Sequence, residues 1–252
     1  VSNLLPIATL PIFTRILTVD DYGVYGLAMV YAVFVNGIAN FGLSVGYERN
    51  FFEDDDIRKR AGLLFTTVVF VMATFSVFGA ITFIFKSQLS ELIIGDRAWG
   101  SILFWAYCGA AVMDLKMYFL TYFKNTEDAK SFVKFTILES ILIATISLFL
   151  IAYLKIGVLG LVLGQFLASA IICSILMVMF FYKLPINIDL NSLKSSLRLS
   201  LPLTPRIFFG IIGNQFDKYM IGLVNSLGGV GVYSLGQKIG NITFTFMTSN
   251  IS

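Results

Sequence analysis

Three long runs of uncharged, mostly apolar residues constrain this chain more than any other feature. The runs are GVYGLAMVYAVFVNGIANFGLSVGY at 23–47, LLFTTVVFVMATFSVFGAITFIF at 63–85 and IGVLGLVLGQFLASAIICSILMVMFFY at 156–182. A helix needs about 20 residues, at about 1.5 Å each, to cross the roughly 30 Å hydrocarbon core of a bilayer. Each run exceeds that length, so we predict three membrane-spanning helices.

Five further segments complete the predicted set of helices. They are the runs at 101–123, 135–154 and 197–224, which carry internal charge, and the partial runs at 3–17 and 231–252. The fold class we predict is all-α: a polytopic integral membrane protein in which about eight transmembrane helices are seen. The composition agrees, because 57% of residues are hydrophobic and only 13% are charged. The chain starts at Val1 and stops inside an apolar stretch, from which we expect a fragment of a longer protein.

Basic residues alternate between successive loops. The second, fourth and sixth loops hold Arg49, Arg58, Lys59, Arg60, Lys124, Lys130, Lys134, Lys183, Lys194 and Arg198, whereas the odd loops hold Arg15, Lys86, Arg97 and Lys155. Positive residues collect in short loops on the cytoplasmic side of a membrane. We therefore predict that the even loops and the N-terminus are cytoplasmic.

The composition also excludes several classes of function. The chain has no His, which removes the commonest general base and nitrogen metal ligand. Cys108 and Cys173 lie inside apolar runs, where a thiol is usually a core residue. The net charge of +3 is small and dispersed, which argues against nucleic acid, and no Gly-rich nucleotide-binding loop is present. We expect no catalytic residues, no metal, no cofactor and no enzyme activity.

Two short stretches repeat each other about 208 residues apart. YGVYGLA at 22–28 and VGVYSLG at 230–236 share Gly-Val-Tyr and a Leu two residues later. Each copy lies near the start of a predicted helix, and about six helices separate them, so a repeat would preserve orientation across the membrane. Transporters are often built from two such halves around a central site; chance similarity is the alternative.

Three motifs, in order along the chain, resemble one family of membrane proteins. They are LPIFTRILTVDDYGVYGLA at 10–28, GVLGLVLGQFLAS at 157–169 and LPLTPRIFFGIIGNQFDKYMIGLVNSLGGVGVYSLGQKIG at 201–240. They are similar to Wzx-type polysaccharide (O-antigen) flippases of the multidrug and polysaccharide exporter superfamily. The resemblance implies two lobes of six or more helices, with residues 1–182 forming the first lobe and residues 183–252 starting the second.

The resemblance also implies a function. Wzx-type flippases move an oligosaccharide linked to a polyprenyl diphosphate across the bacterial cytoplasmic membrane, so the expected partners are this lipid-linked oligosaccharide, membrane lipids and the polysaccharide polymerase machinery. Three alternatives stay open. One is a drug or cation antiporter of the same superfamily, another is a membrane enzyme that acts on lipid-linked glycan, and the third is a purely structural membrane protein.

Ionisable side chains within a membrane span are costly and therefore mark candidate sites. Asp114 lies near mid-membrane and is a candidate for ion coupling. Lys116 and Glu139 lie at similar depths on consecutive helices, which predicts a contact between them. In the alternative, the Lys116 side chain extends alone to the headgroups.

The candidate substrate contacts follow from the diphosphate and sugars that the resemblance implies. The basic side chains that we expect to bind the diphosphate are Lys116, Arg206 and Arg15. Polar contacts for sugars, or contacts between helices, are Gln165, Asn214, Asn36, Asn40 and Gln215. Asp217 and Lys218 are candidates for ion coupling or for a structural salt bridge near the interface.

Overall fold

The structure is a computed structural model that describes residues 5–53, 56–224 and 226–248. Helices make up most of these ranges. Its ten α helices are α1 (Leu5–Ile16), α2 (Val19–Ala39), α3 (Leu43–Phe51), α4 (Ile57–Ile94), α5 (Gly100–Asn125), α6 (Ala129–Leu148), α7 (Val158–Lys183), α8 (Leu190–Ser200), α9 (Thr204–Val224) and α10 (Leu227–Thr248). No strand occurs within these ranges, so the predicted all-α class is confirmed.

Within the residues that the structure describes, five helical segments are long and apolar enough to cross a membrane. They are Val19–Ala39, Ile57–Ile94, Arg97–Asn125, Ala129–Tyr153 and Val158–Lys183. These segments confirm a polytopic membrane protein. Helix α1 has only 12 residues, and α9 and α10 have the length but a less apolar sequence. The predicted number of about eight transmembrane helices is therefore not established.

Helix α2 begins with a capping box and ends earlier than the sequence predicts. The Thr18 hydroxyl accepts a hydrogen bond from the backbone N–H of Asp21, whose carboxylate accepts from the backbone N–H of Thr18 in return. The predicted span at 23–47 is wrong at its far end, because Phe41 and Gly42 adopt positive φ angles of 52° and 65°. This turn ends the helix, and residues 43–47 belong to α3.

Helix α4 has 38 residues and contains the predicted span at 63–85. The Asp56 side chain caps its N-terminus by accepting from the backbone N–H of Arg58 at 2.9 Å. Gly95, with a φ of 90°, ends the helix in the left-handed conformation that favours glycine. At about 1.5 Å per residue the helix is about 57 Å long.

The predicted run at 197–224 is two helices rather than one. A 3-10 turn at Leu201–Leu203 separates α8 from α9, and Pro202 and Pro205 lie on either side of the helix start at Thr204. Helix α8 packs along α3, where Asn50 Nδ2 donates to Ser196 Oγ at 2.8 Å. The two prolines thus separate a short amphipathic helix from a long one.

The buried core lies between α2, α4, α5 and α7. Two buried tyrosines connect these helices through their hydroxyls. Tyr107 of α5 donates to the carbonyl of Phe75 in α4 at 2.7 Å, and Tyr31 of α2 lies 2.7 Å from the Thr82 hydroxyl in α4. Helix α6 packs on α7, α1 packs on α6, and both α9 and α10 pack on α2. Helix α2 is therefore the element that connects the two ends of the chain.

Candidate functional site

A buried ion pair joins α5, α6 and α7. The Lys116 ammonium donates to Glu139 Oε2, and the Ser169 hydroxyl donates to Glu139 Oε1 at 2.8 Å. Lys116 is 1% exposed and Glu139 is 7% exposed. The predicted contact between Lys116 and Glu139 is confirmed, and the alternative of a lysine that extends alone to the headgroups is wrong.

The position of this pair bears on the proposed substrate role of Lys116. Its ammonium lies inside the helical bundle with a carboxylate partner. Lys116 lines none of the three pockets next to α2 that are described below. Removing one partner from a buried ion pair leaves an uncompensated charge and costs about 3–5 kcal/mol. The geometry therefore favours a structural pairing role for Lys116 over contact with a ligand.

The two Gly-Val-Tyr stretches pack against each other. A Cβ atom added at Gly23 of α2 would overlap the carbonyl oxygen of Leu227 in α10, and one added at Gly231 of α10 would overlap the carbonyl oxygen of Val19 in α2. The contact is reciprocal, and the two positions on each helix, Val19 and Gly23 or Leu227 and Gly231, are four residues apart. The first turns of α2 and α10 therefore touch through their backbones, which only glycine permits.

Beyond this contact, α2, α9 and α10 enclose a pocket with two lysines, which we call the basic pocket. Its volume is about 270 Å³. Its polar lining consists of Tyr25, Gln215, Lys218, Ser234, Gln237, Lys238 and Asn241. Met29 and Val33 of α2 complete the wall. The pocket thus separates parts of α2 and α10 that follow the glycine contact.

The two lysines of the basic pocket have no acidic partner among the described residues. Lys218 Nζ donates to Gln215 Oε1 at 3.5 Å, and no ion pair to Lys218 or Lys238 occurs among the described residues. Tyr25 donates to Gln165 Oε1 at 3.3 Å, which connects the pocket to α7. The Ser234 hydroxyl is buried and has no hydrogen-bond partner within the described ranges. This arrangement presents positive charge and hydrogen-bonding groups to an anion.

An aromatic pocket of about 320 Å³ adjoins the basic pocket along α9. It is lined by Val30, Tyr31, Phe34, Ile93, Ile212, Gln215, Phe216 and Tyr219. Gln215 lines both pockets. The two pockets together offer a cationic region next to an apolar one, which is the pattern that an anionic amphiphile requires.

Asp114 lies in a third pocket, which we call the polar pocket, between α2, α3 and α5. Asn36 and Asn40 of α2 line the same pocket, together with Tyr47 of α3. The Asn40 side-chain oxygen accepts a hydrogen bond from Tyr118 at 2.8 Å. The structure thus brings together Asp114, Asn36 and Asn40, of which the sequence analysis proposed Asp114 for ion coupling and the two asparagines for polar contacts.

Three predicted substrate contacts lie away from these pockets. Arg15 is exposed at the end of α1, Arg206 is exposed in the first turn of α9, and Asn214 is exposed further along α9. None of them lines the basic, aromatic or polar pocket. The structure therefore does not bring Arg15 or Arg206 together with Lys116.

The predicted Asp217 and Lys218 pair has separate partners. The Asp217 carboxylate accepts a hydrogen bond from Tyr233 of α10 at 2.8 Å, whereas Lys218 faces Gln215 and the basic pocket. No salt bridge joins the two residues in the part of the chain that the structure describes. Asp217 thus links α9 to α10, and Lys218 is available to a ligand.

Sequence reasoning missed Lys238, the second lysine of the basic pocket. The signal was present, because Lys238 is a lone charge in the run at 231–252 and lies seven residues after Gly231. An ionisable residue in a span is a candidate site by default. Sequence reasoning also missed the buried hydroxyls of Ser234 and Tyr47, which have no hydrogen-bond partner among the described residues. No sequence pattern marks them, because burial without a partner is visible only in three dimensions.

Helices long enough to cross a membrane, a buried ion pair and pockets between helices define a polytopic membrane protein with internal cavities. A family model described as polysaccharide biosynthesis protein matches residues 12–252. The chain belongs to this family, which confirms the resemblance found in its motifs. No curated protein and no solved structure matches the chain.

Proposed function

We propose that this protein translocates an oligosaccharide linked to a polyprenyl diphosphate across the bacterial cytoplasmic membrane. The family supports a role in polysaccharide synthesis or export. The observation that carries the finer proposal is the basic pocket, where Lys218 and Lys238 face a cavity without an acidic partner in the described residues.

The charge of the basic pocket matches the diphosphate. A diphosphate diester carries two negative charges, which two ammonium groups balance. Hydrogen bonds between lysine and phosphate oxygens are charge-assisted and stronger than neutral ones. The side-chain amides of Gln215 and Gln237 add donors around the lysines. These residues replace Lys116 and Arg206 as our candidates for the diphosphate.

The aromatic pocket suits the apolar part of such a substrate. Phe34, Phe216 and Tyr219 present ring surfaces beside the shared Gln215. A polyprenyl chain or a sugar face can pack on these rings, because both expose C–H groups to an aromatic surface. A small cationic drug would instead meet the two lysines and be repelled, which disfavours the antiporter alternative.

Translocation requires the pocket to open alternately to the two sides of the membrane. The reciprocal contact of Gly23 and Gly231 holds α2 and α10 together at one end, and the basic pocket separates them further along. A two-fold relation between helices of two parallel lobes would produce such a contact. With the N-terminus cytoplasmic, the contact closes the outer side and the pocket faces the cytoplasm.

The test is restoration of surface glycan in a bacterial strain that lacks its own flippase, with the complete gene supplied. We expect the wild-type protein to restore the glycan and the double variant Lys218→Gln with Lys238→Gln to lose it. Each lost charge-assisted hydrogen bond costs about 1.5–3 kcal/mol, or roughly 10–100-fold in affinity. Lys130→Gln, which changes an exposed lysine, is the matched control.

Full restoration by the double variant, at equal protein levels in the membrane, would contradict a diphosphate site in the basic pocket. No restoration by the wild-type protein, with increased drug resistance in the same strain, would favour the antiporter instead.

A further inference from the structure

The polar pocket contains polar groups that the protein leaves without partners. The side-chain oxygen and nitrogen of Asn36 are both buried with no hydrogen-bond partner in the part of the chain that the structure describes, and the residue is 1% exposed. The Tyr47 hydroxyl is buried and unpartnered in the same way. Burying such groups without hydrogen bonds costs about 1–3 kcal/mol each. Two such groups at one pocket indicate a bound polar species that satisfies them.

The same pocket holds a carboxylate without a basic partner. Asp114 makes no hydrogen bond or ion pair among the described residues. The nearest cation along α5, Lys116, donates to Glu139. A carboxylate that stays ionised at membrane depth is stabilised by a positive partner, because an unpaired charge there is strongly unfavourable; a bound proton is the alternative.

The other charged residue of the pocket is already neutralised. Glu48 of α3 lines the pocket, and its Oε1 accepts from the Lys124 ammonium at 2.9 Å. The remaining polar lining consists of neutral amides and hydroxyls from Asn36, Asn40, Ser44, Tyr47, Tyr118 and Thr121. The pocket therefore carries one unbalanced negative charge, which matches a monovalent cation and not a divalent one.

The helix break and the oxygen atoms around the pocket are also suited to a cation. The break between α2 and α3, at Asn40–Gly42, forms part of its wall. Carboxylate, amide and hydroxyl oxygens are the ligands that hard cations prefer. Interrupted membrane helices commonly bind coupling ions next to such oxygens. The cavity of about 330 Å³ is large enough for an ion together with water molecules.

We infer that the polar pocket is a binding site for a monovalent metal cation of the size of Na⁺. The carboxylate of Asp114 and the side-chain oxygens of Asn36, Asn40 and Tyr47 would coordinate it. This inference is independent of the diphosphate assignment, because binding of the ion can be measured without the lipid-linked substrate.

The site also contacts the part of the molecule that holds the basic pocket. Ile211 of α9 lines the polar pocket, and a Cβ added at Gly37 of α2 would overlap its side chain. An ion that draws α2, α3 and α5 together would thus act on the surface of α2 against which α9 packs. Ion binding and the spacing of α2 and α9 are therefore coupled.

The experiment uses the complete gene product in nanodiscs without lipid-linked sugar. We expect the melting temperature to be about 5 °C higher in NaCl than in choline chloride at equal ionic strength, since ligand binding stabilises the folded state. Radioactive ²²Na⁺ should bind saturably. Removing a residue that only hydrogen-bonds to a metal ligand lowers metal affinity roughly 10–100-fold. Asp114→Asn changes a proposed ligand itself, so it should lower the affinity for ²²Na⁺ by at least this factor.

The variants separate the site from general effects on folding. Tyr47→Phe removes only a hydroxyl and should weaken ²²Na⁺ binding while the protein stays folded. Asp217→Asn, which changes a carboxylate of α9 outside the pocket, should bind as wild type does. The inference is wrong if wild-type protein binds no ²²Na⁺, if Asp114→Asn binds it normally, or if only acidification stabilises the protein.

Discussion

Lys116 and Glu139 show how this protein accommodates charge inside a membrane. Each is almost fully buried, and each has the other as its partner, with Ser169 donating to the second carboxylate oxygen. The pairing was predictable from sequence, because helix length fixes depth and short loops make α5 and α6 antiparallel neighbours. The role of the pair was not predictable, since burial depends on α7 as well.

The first prediction concerns this pair. Lys116→Glu or Glu139→Lys alone places two like charges together in the core and should lower the free energy of unfolding by about 3–5 kcal/mol. The combined substitution restores opposite charges and should recover most of the loss. Thermal unfolding of purified protein, together with the folded amount in membranes, measures both effects.

The matched control is Lys130→Glu, which reverses an exposed lysine and should change stability by less than about 0.5 kcal/mol. A combined variant that is no more stable than the weaker single variant would show that the two charges do not stabilise each other. The proximity of Asp114 to position 116 makes the recovery incomplete, because reversing the lysine adds a second carboxylate on α5.

At the scale of elements, sequence reasoning found the apolar helices and misplaced their ends. The run at 23–47 contains no charge, and the turn at Phe41 and Gly42 has no strong breaker besides one glycine. Hydropathy therefore joins α2 to α3, although α3 packs along α8. The prolines around Thr204 are clearer signals, and the chain does break there.

Helix α8 gives the second prediction, through its N-cap. Asp189 accepts a hydrogen bond from the Ser192 hydroxyl at 2.7 Å and from the backbone N–H groups of Asn191 and Ser192. These hydrogen bonds, the Ser192 hydroxyl foremost, lower the pKa of Asp189 below its usual value of 3.8. The ionised carboxylate therefore stabilises the first turn of the helix.

The lowered pKa of Asp189 determines how the stability of α8 changes with pH. Because the pKa is lower in the folded state, the stabilisation is complete above about pH 3.8 and is lost as the pH falls through the folded value. Asp189→Ala should remove about 0.5–2 kcal/mol and speed amide hydrogen exchange in the first turn of α8 at neutral pH.

Asp20→Ala, an exposed aspartate that caps no helix, should leave exchange in α8 unchanged. Equal exchange rates in Asp189→Ala and wild-type protein at neutral pH would show that the cap does not stabilise α8.

At the scale of the whole molecule, the repeated Gly-Val-Tyr brings residues about 208 positions apart into contact. The sequence suggested a repeat, but it did not show that the two copies meet, because a repeat fixes topology and not the angle between lobes. The basic pocket was missed for the same reason. Its walls come from α2, α9 and α10, and only Lys218 of its two lysines stood out in the chain.

The third prediction tests the contact between α2 and α10. A Cβ at Gly228 would lie 3.1 Å from Asp20 Oδ1, so side chains at these two positions meet across the contact. With Cys108 and Cys173 replaced by Ala, the pair Asp20→Cys and Gly228→Cys should crosslink on oxidation. The crosslink holds the contact closed, so glycan transport should stop and resume after reduction.

Either cysteine alone should leave transport unchanged under oxidation. Continued transport by fully crosslinked protein would show that α2 and α10 need not separate, and it would leave the ligand assignment of the basic pocket unaffected.

Helix α4 fixes the depth of the first helices in the bilayer. Its uncharged stretch at 63–85 is about 34 Å long, close to the hydrocarbon thickness, and Arg60 and Lys86 stand near its two ends. Moving the helix along its axis by more than about one turn would draw one of these cations into hydrocarbon, at about 2.5–3.5 kcal/mol per charge. An elevator-like vertical displacement is thus opposed at both faces. The helices packed on α4 are left with tilting and in-plane rotation as their low-cost movements.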